Sequence, residues 1–587
     1  MNEKLVSLRS AMKKNGVDAY IIFNTDPNND EYIPKEYMSV KQLTGFTGDN
    51  AVVVVTDTFA GLWTDSRFFI SGTLELQGSQ FKLMKKTTNS DPSFIKYIAD
   101  ILPAGSNLAL DGTLATQATY QNIYDTLSPL GININNNLDL TASFWPKRPS
   151  SKLSNIFVLD YKYTGKTAAL KIKELIQTLN GNYQILTRPD DIAWLLNLRA
   201  ADIDYCPVFR AFMLVGGKLG TSVLYTQKGR IGADAISHLA KLKVDVKDYG
   251  DIYVDLQELP DNSSVRVEYR AANSRLVSSI NSQCEVINTP SPVQQWKGVK
   301  NDTELANIRK ALVIDGVAME RFLHRMDTAL QSGEKLTELS LAAILREERA
   351  KGEGFLMESF ECISAFNAHA AMPHYAPTPD SDIDVTPNGV YLVDSGGQYL
   401  LGTTDITRTM PTGSFTHQFA VDYTLVLQGN IELAMAIFPE GKTGSDLDVL
   451  ARMDMWKQGR DFGHGTGHGV GYCLNCHEGP HSISPVHNNV ALKLGMVVTD
   501  EPGIYIEDKY GIRTENMLCV VKSQYSGFLQ FEVLTLCHID TRPVIKEMLT
   551  PAQLSFLNAY NKRVFDTLSP LMDADDVQYL RKVTAAI

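Results

Sequence analysis

Over residues 333–515 the chain repeats itself, and this confines the region to a domain of two similar halves packed about a common axis. Gly333-Glu-Lys-Leu-Thr-Glu-Leu339 is answered by Gly441-Lys-Thr-Gly-Ser-Asp-Leu447, and Gly352 by Gly459. Gly389-Val-Tyr-Leu-Val-Asp394 is answered by Gly495-Met-Val-Val-Thr-Asp500 at nearly the same separation. Each half reads helix, helix, then strands. In both, a glycine opens a short apolar run of strand character that ends in carboxylates, Asp394 in one and Asp500-Glu501 in the other. A second acid follows on what reads as the next strand, Asp405 or Glu515. The acids are expected to meet where the halves face each other.

Asp394, Asp405, Glu501 and Glu515 cannot share a site in charged form unless cations neutralise them, so the pattern predicts metal, and four acids predict two ions. An imidazole comes from Gly463-His-Gly-Thr-Gly-His468-Gly-Val-Gly471, whose glycines let backbone and ring approach a ligand closely. His468 is the expected ligand. Carboxylates with one imidazole suit Mn, Co, Fe or Zn better than thiolates would. The glycine run lacks the lysine of a phosphate loop. Of eleven histidines, His369, His374, His417, His464, His468, His477, His481 and His487 fall in this same region.

Upstream lies a second duplication. Ser106-Asn-Leu-Ala-Leu-Asp111 resembles Ser263-Ser-Val-Arg-Val-Glu268, and each leads into a polar, helix-like stretch reaching Ile123 or Ile280. Val40–Phe46 and Ala193–Arg199 precede strand-rich runs at a similar spacing. The expected fold class is α/β (α+β), with two related N-terminal α/β domains at 1–155 and 156–295 and a doubled third domain at 296–587. The Pro-rich Asn288–Val293 marks the last boundary, and Asn301-Asp-Thr-Glu304 is a helix start whose apolar face is Leu305, Ile308, Leu312, Met319 and Phe322. From about residue 543 a helical extension follows, with Leu557, Tyr560 and Val564 on its apolar face.

With 44% hydrophobic and 21% charged residues the composition is that of a globular protein. A net charge of -12 without a Lys/Arg cluster argues against nucleic acid. No long apolar run or apolar leader is present, so no membrane partner and a cytoplasmic location are expected. The seven cysteines are scattered and odd in number, and read as reduced thiols.

The motifs Val393-Asp-Ser-Gly-Gly397, Gly402-Thr-Thr-Asp-Ile-Thr-Arg-Thr409, Gly463–Gly471, His477-Glu-Gly-Pro480, Thr499-Asp-Glu-Pro-Gly503 and Gly511-Ile-Arg-Thr-Glu-Asn516, in this order, resemble the aminopeptidase P (Xaa-Pro aminopeptidase) branch of the pita-bread metallopeptidases. Trp63-Thr-Asp-Ser-Arg67 and Ile192–Arg199 extend the resemblance to its long cytosolic, three-domain form. The resemblance implies that Asp394, Asp405, His468, Glu501 and Glu515 ligate two divalent ions, usually Mn2+, with Zn2+, Co2+ or Fe2+ as alternatives. A water bridging the ions would attack the peptide bond before proline. It also implies that His374, His464 and His477 hold the peptide and steady the oxyanion, that Glu501 shuttles a proton, and that Arg513 orients a carboxylate. Substrates would be peptides with N-terminal Xaa-Pro, and the C-terminal extension would help form a homodimer. Where the family has Asn-Gly before Ala-x-x-His-Tyr, this chain has His369-Ala370, which alters a pocket loop.

Rival expectations are a prolidase acting on Xaa-Pro dipeptides, a methionine aminopeptidase, or a non-catalytic pita-bread binding module. The two large N-terminal domains favour longer peptides. Cys473-Leu-Asn-Cys476-His477 also fits a haem-attachment or dithiol pattern, against a plainer reading as two small buried residues. Replacing both cysteines by Ser or Ala is expected to leave turnover within about tenfold. His477→Ala is expected to lower kcat by roughly 10²–10³-fold. Steady-state kinetics on the two variants checks both.

Overall fold

β-Branched and aromatic runs broken by turn residues give the first part of the chain two six-stranded sheets of one design. The computed structural model describes residues 2–88, 91–150, 153–217 and 220–587. The first sheet has the spatial order Lys82–Lys85, Ala60–Thr64, Val52–Thr56, Ala19–Phe23, Asn107–Leu110, Asn133–Asn135. The second runs Asp245–Lys247, Thr221–Thr226, Ala211–Gly216, Tyr183–Leu186, Ser264–Val267, Glu285–Asn288. In both, the first strand of the sheet pairs antiparallel on one side and parallel on the other. The parallel neighbours, Asn107–Leu110 and Ser264–Val267, come from the two segments whose sequences match.

The helices that follow them differ. Gln117–Leu127 has the expected length, whereas its counterpart stops at Ser274–Ser278, short of Ile280. Turn-forming Ser279 and Asn281 end it, and the Asn281 side chain donates to the Leu259 carbonyl (2.7 Å). Both sheets belong to one compact unit, Met1–Asp160 with Lys166–Val293. Within it the buried Asn28 amide donates to the Thr187 and Ala211 carbonyls (2.8 Å each).

The second unit comprises Tyr161–Gly165 and Gln294–Ile587. Pro292 stands at the start of the helix Pro292–Gly298, where its missing N–H costs nothing. Asn301 caps the long helix Asp302–Ser332: its side chain accepts from Glu304 N (3.0 Å), and Glu304 answers at Asn301 N (3.0 Å). Ile308, Leu312, Met319 and Phe322 are buried and Leu305 half-buried, as their spacing predicts.

The doubling is plain in the element order. Asp302–Ser332 and Glu338–Ala350 lead to the strands Ile363–Phe366, Val390–Ser395 and Ile406–Pro411. His417–Ala434 and Gly444–Trp456 lead to Gly467–Gly469, Val497–Asp500 and Asn516–Lys522. Thr337 and Thr443 cap the second helix of each half with the same reciprocal box. Beyond the halves, Pro551–Leu568 buries Leu557, Tyr560, Val564 and Leu568 against the core of this same unit, and Ala574–Val583 follows.

Asn301 also donates to the Thr164 carbonyl (2.9 Å). Asn301→Ala is expected to destabilise the second unit by about 1–2 kcal/mol, the range for losing a helix cap. A lowered thermal midpoint with an unchanged far-UV spectrum would check it.

Candidate metal centre

Two antiparallel pairings bring the acids together. Asp394 lies opposite Thr407 on the Val390–Ser395 and Ile406–Pro411 strands, with Asp405 one residue before the second strand. In the other half Asp500 lies opposite Asn516, so Glu501 and Glu515 flank that pair. Thr407 joins the halves: its hydroxyl donates to Glu515 Oε2 (2.7 Å), and its carbonyl accepts from Glu515 N (3.1 Å). Gly467 allows the His468 strand to lie close, because a Cβ there would sit 1.9 Å from the Thr499 carbonyl oxygen.

His468 is oriented by its own backbone. Nδ1 lies 2.9 Å from the Gly469 carbonyl, which can only accept, so Nδ1 carries a proton and Nε2 is the nitrogen turned to the acids. Nε2 is 3.3 Å from Asp405 Oδ2 and 3.7 Å from Glu501 Oε1. Potential ligand atoms of Asp394, Asp405 and Glu515 all lie within 4.8 Å of one another, and so do those of His468, Glu501 and Glu515. Glu515 belongs to both groups, as befits two adjacent cations.

The electrostatics test that fit. Burial first, and then the charges of Asp405, Glu501 and Asp394, hold Glu515 well above the usual carboxylate range. Burial pushes Glu501 up to about 7 and raises Asp394 as well. For Asp405 burial acts upward too, but His468 and His477 outweigh it and lower the group. Asp394 Oδ1 is buried with no hydrogen-bond partner, while Arg513 occupies the other oxygen, Oδ2. A donor set this acidic, with one oxygen left over, fits divalent cations.

Arg513 sits on the hairpin Gly503–Ile506 and Tyr510–Arg513. Besides Asp394 it donates to Tyr505 Oη (2.7 Å) and the Pro373 carbonyl (3.4 Å), which brings the His374 loop to the centre. Tyr505 Oη lies 2.8 Å from His464 Nε2, and His464 Nδ1 lies 2.8 Å from the Gly465 carbonyl. Burial and the Arg513 charge push the His464 imidazole down to about 3. It is therefore neutral, protonated on Nδ1, and accepts from the Tyr505 hydroxyl.

The expected site residues thus converge, but not in one role-bearing ring. His464 has both nitrogens engaged with the protein. His477 lies on the metal side: its ring centroid is 4.4 Å from that of His468, and one of its nitrogens falls within 4.8 Å of ligand atoms of Asp405 and His468. Glu338, fully buried, ties the loop ahead of His374 by accepting from Phe366 N (2.7 Å) and Tyr375 Oη (2.7 Å) and by pairing with His369 Nδ1 (3.0 Å). His369 is thus a tie within this loop. The Ala370 carbonyl rests where a side chain at Gly511 would begin, 1.7 Å from such a Cβ.

Besides Glu338, three contributors escaped the sequence reading. Tyr505 had a signal in strand alternation, for Tyr505 lies opposite Gly511 and Arg513 opposite Gly503, so both large side chains find room on one face. Thr407 lay inside a quoted motif without a role. Cys476 is more than filler, because its thiol donates to Asp405 Oδ2 (3.2 Å); Cys473 is fully buried.

Residues 306–522 match the model of metallopeptidase family M24 and 527–587 the C-terminal region of peptidase M24. Residues 4–133 and 147–304 match two models of the creatinase/prolidase N-terminal domain. Aminopeptidase P1 of Arabidopsis thaliana is 32% identical, the alignment covering 100% of this chain and 99% of that protein. Xaa-Pro aminopeptidase app-1 of Caenorhabditis elegans is 35% identical over 96% of this chain and 95% of that one. The crystal structure of X-prolyl aminopeptidase from Caenorhabditis elegans, described as a cytosolic enzyme with a di-nuclear active site, superposes with a TM-score of 0.95 at 33% identity, covering 100% of this chain and 99% of that chain. Its doubled catalytic domain, its paired N-terminal sheets and these full-length relatives together make this chain a member of metallopeptidase family M24, in the aminopeptidase P group.

Proposed function

We propose that the protein is an Xaa-Pro aminopeptidase that removes the N-terminal residue of peptides with proline in second position. The observation that carries this is the cluster of Asp394, Asp405, His468, Glu501 and Glu515, with His468 Nε2 turned toward the carboxylates. In this reading these five residues hold two divalent ions, Mn2+ by preference. Bound there, the ions would supply a water nucleophile of lowered pKa and polarise the scissile carbonyl.

The chain's own groups have separable duties. Glu501 would take a proton from the attacking water and pass it to the departing proline nitrogen. Arg513 occupies Asp394 Oδ2 and leaves Oδ1 for an ion. His374 and His477 would contact the peptide and the developing oxyanion, with His477 within reach of Asp405. His464 would act at one remove, holding the Tyr505 hydroxyl in place.

We further propose domain limits at 1–155, 156–295 and 296–587, a cytoplasmic location and a homodimer. No described helix is long and apolar enough to cross a membrane, and the C. elegans relative is described as cytosolic.

Chelation is expected to abolish activity, and Mn2+ to restore it best among Mn2+, Zn2+, Co2+ and Fe2+. Xaa-Pro-Yaa peptides should lose their first residue while Xaa-Ala-Yaa peptides persist. Full activity in a rigorously metal-free preparation would overturn the reading, and cleavage of Xaa-Pro dipeptides alone would make the enzyme a prolidase. Light scattering at micromolar concentration should give twice the chain mass, and a monomer would refute the dimer.

A further inference from the structure

Arg408 is buried, only 3% exposed, immediately behind the carboxylate cluster, and the proposed metal chemistry assigns it nothing. Its Nη1 donates to the Thr407 carbonyl (2.9 Å) and to the Glu515 carbonyl (2.6 Å). Nη2 faces Asn516 Oδ1 (2.9 Å), the Cys537 carbonyl (2.7 Å) and Tyr560 Oη (2.8 Å), and Nε donates to the His538 carbonyl (2.9 Å). One planar guanidinium therefore clasps both metal-side strands on one edge and the C-terminal region on the other. All its partners are neutral oxygens. The fixed fork registers backbone positions, and no carboxylate shares the bond.

Tyr560 completes the clasp from the helix Pro551–Leu568. Its hydroxyl lies 2.8 Å from the Cys537 carbonyl and 3.3 Å from Asn516 Oδ1, beside Arg408 Nη2. Asn516 in turn bonds Asn430, whose amide donates to the Asp500 carbonyl (2.9 Å) and the Thr514 carbonyl (3.3 Å). The backbone before Glu501 and on both sides of Glu515 is thereby fixed from behind. A small displacement of Thr407 or Glu515 would be felt at once, since Thr407 Oγ1 donates directly to Glu515 Oε2.

We propose that Arg408 and Tyr560 are positioning residues for the metal centre, and that through them the C-terminal extension is a working part of the site, beyond any share in dimer contacts. The proposal rests on the reading that Asp405 and Glu515 hold metal.

The test is calorimetric titration of the metal-stripped full-length chain with Mn2+, alongside its thermal midpoint without metal. The wild type should bind two ions. Arg408→Lys should weaken Mn2+ binding by ~10–100-fold, the loss seen when groups supporting metal ligands are changed. Tyr560→Phe, which removes one hydroxyl and keeps the ring's packing, should weaken it roughly fivefold. Asn561→Ala serves as control, because Asn561 is buried in the same helix and bonds Ile539 on both sides (3.0 Å each) without touching Arg408. It should lower the midpoint yet leave Mn2+ affinity within about twofold. If Arg408→Lys does not fold, Tyr560→Phe against Asn561→Ala decides. Wild-type Mn2+ affinity in Tyr560→Phe, or an equal loss in Asn561→Ala, would overturn the proposal. A wild type that binds fewer than two ions would overturn the metal reading instead.

Discussion

Mutual repulsion among Asp394, Asp405, Glu501 and Glu515 is the constraint on which the rest of this unit depends. Burying four charged carboxylates costs far more than the hydrogen bonds around them return, so the arrangement persists only with positive charge in its midst or with protons on some of the acids. Arg513 supplies one unit of it, fixed to Asp394. The raised Glu501 and Glu515 carboxyls can relieve the rest by keeping protons, so any cation that binds among them would do so with proton release. Doubling of the domain offers a direct way to assemble such a cluster, because each half contributes acids at matching strand ends.

Around the cluster, rigidity is built from hydrogen bonds within the protein. Thr407 locks one half to the other, and the Gly469 carbonyl sets the tautomer of His468. The ordered chain from Arg513 through Tyr505 to His464 holds a neutral imidazole in a strongly charged setting. Each of these contacts removes a freedom that would blur the geometry.

Much of this was legible in the sequence because it is periodic or repeated. Gly389–Asp394 and Gly495–Asp500 announced paired strands, and Asn301 with Glu304 announced a helix start. The matching strands Asn107–Leu110 and Ser264–Val267 occupy equivalent places in two sheets of identical order. What stayed hidden depends on contacts between distant segments. No local pattern says that Cys476 will meet Asp405, that Glu338 will tie the loop before His374, or that His464 will spend both nitrogens on the protein. The apolar face of Pro551–Leu568 was visible, but that it packs onto the core of its own chain was not.

The close seat of the Ala370 carbonyl against Gly511 has an evolutionary consequence. Loop and hairpin touch through main chain, where neither can yield by changing a rotamer, so any drift in the backbone of one must be matched in the other. Sequence change at His369 and Ala370 is therefore free only in so far as it leaves the main-chain path intact. A change in the path from Asn367 to Tyr375 therefore needs a matching change in the hairpin bearing Tyr505 and Arg513, whereas side chains off this contact can change alone.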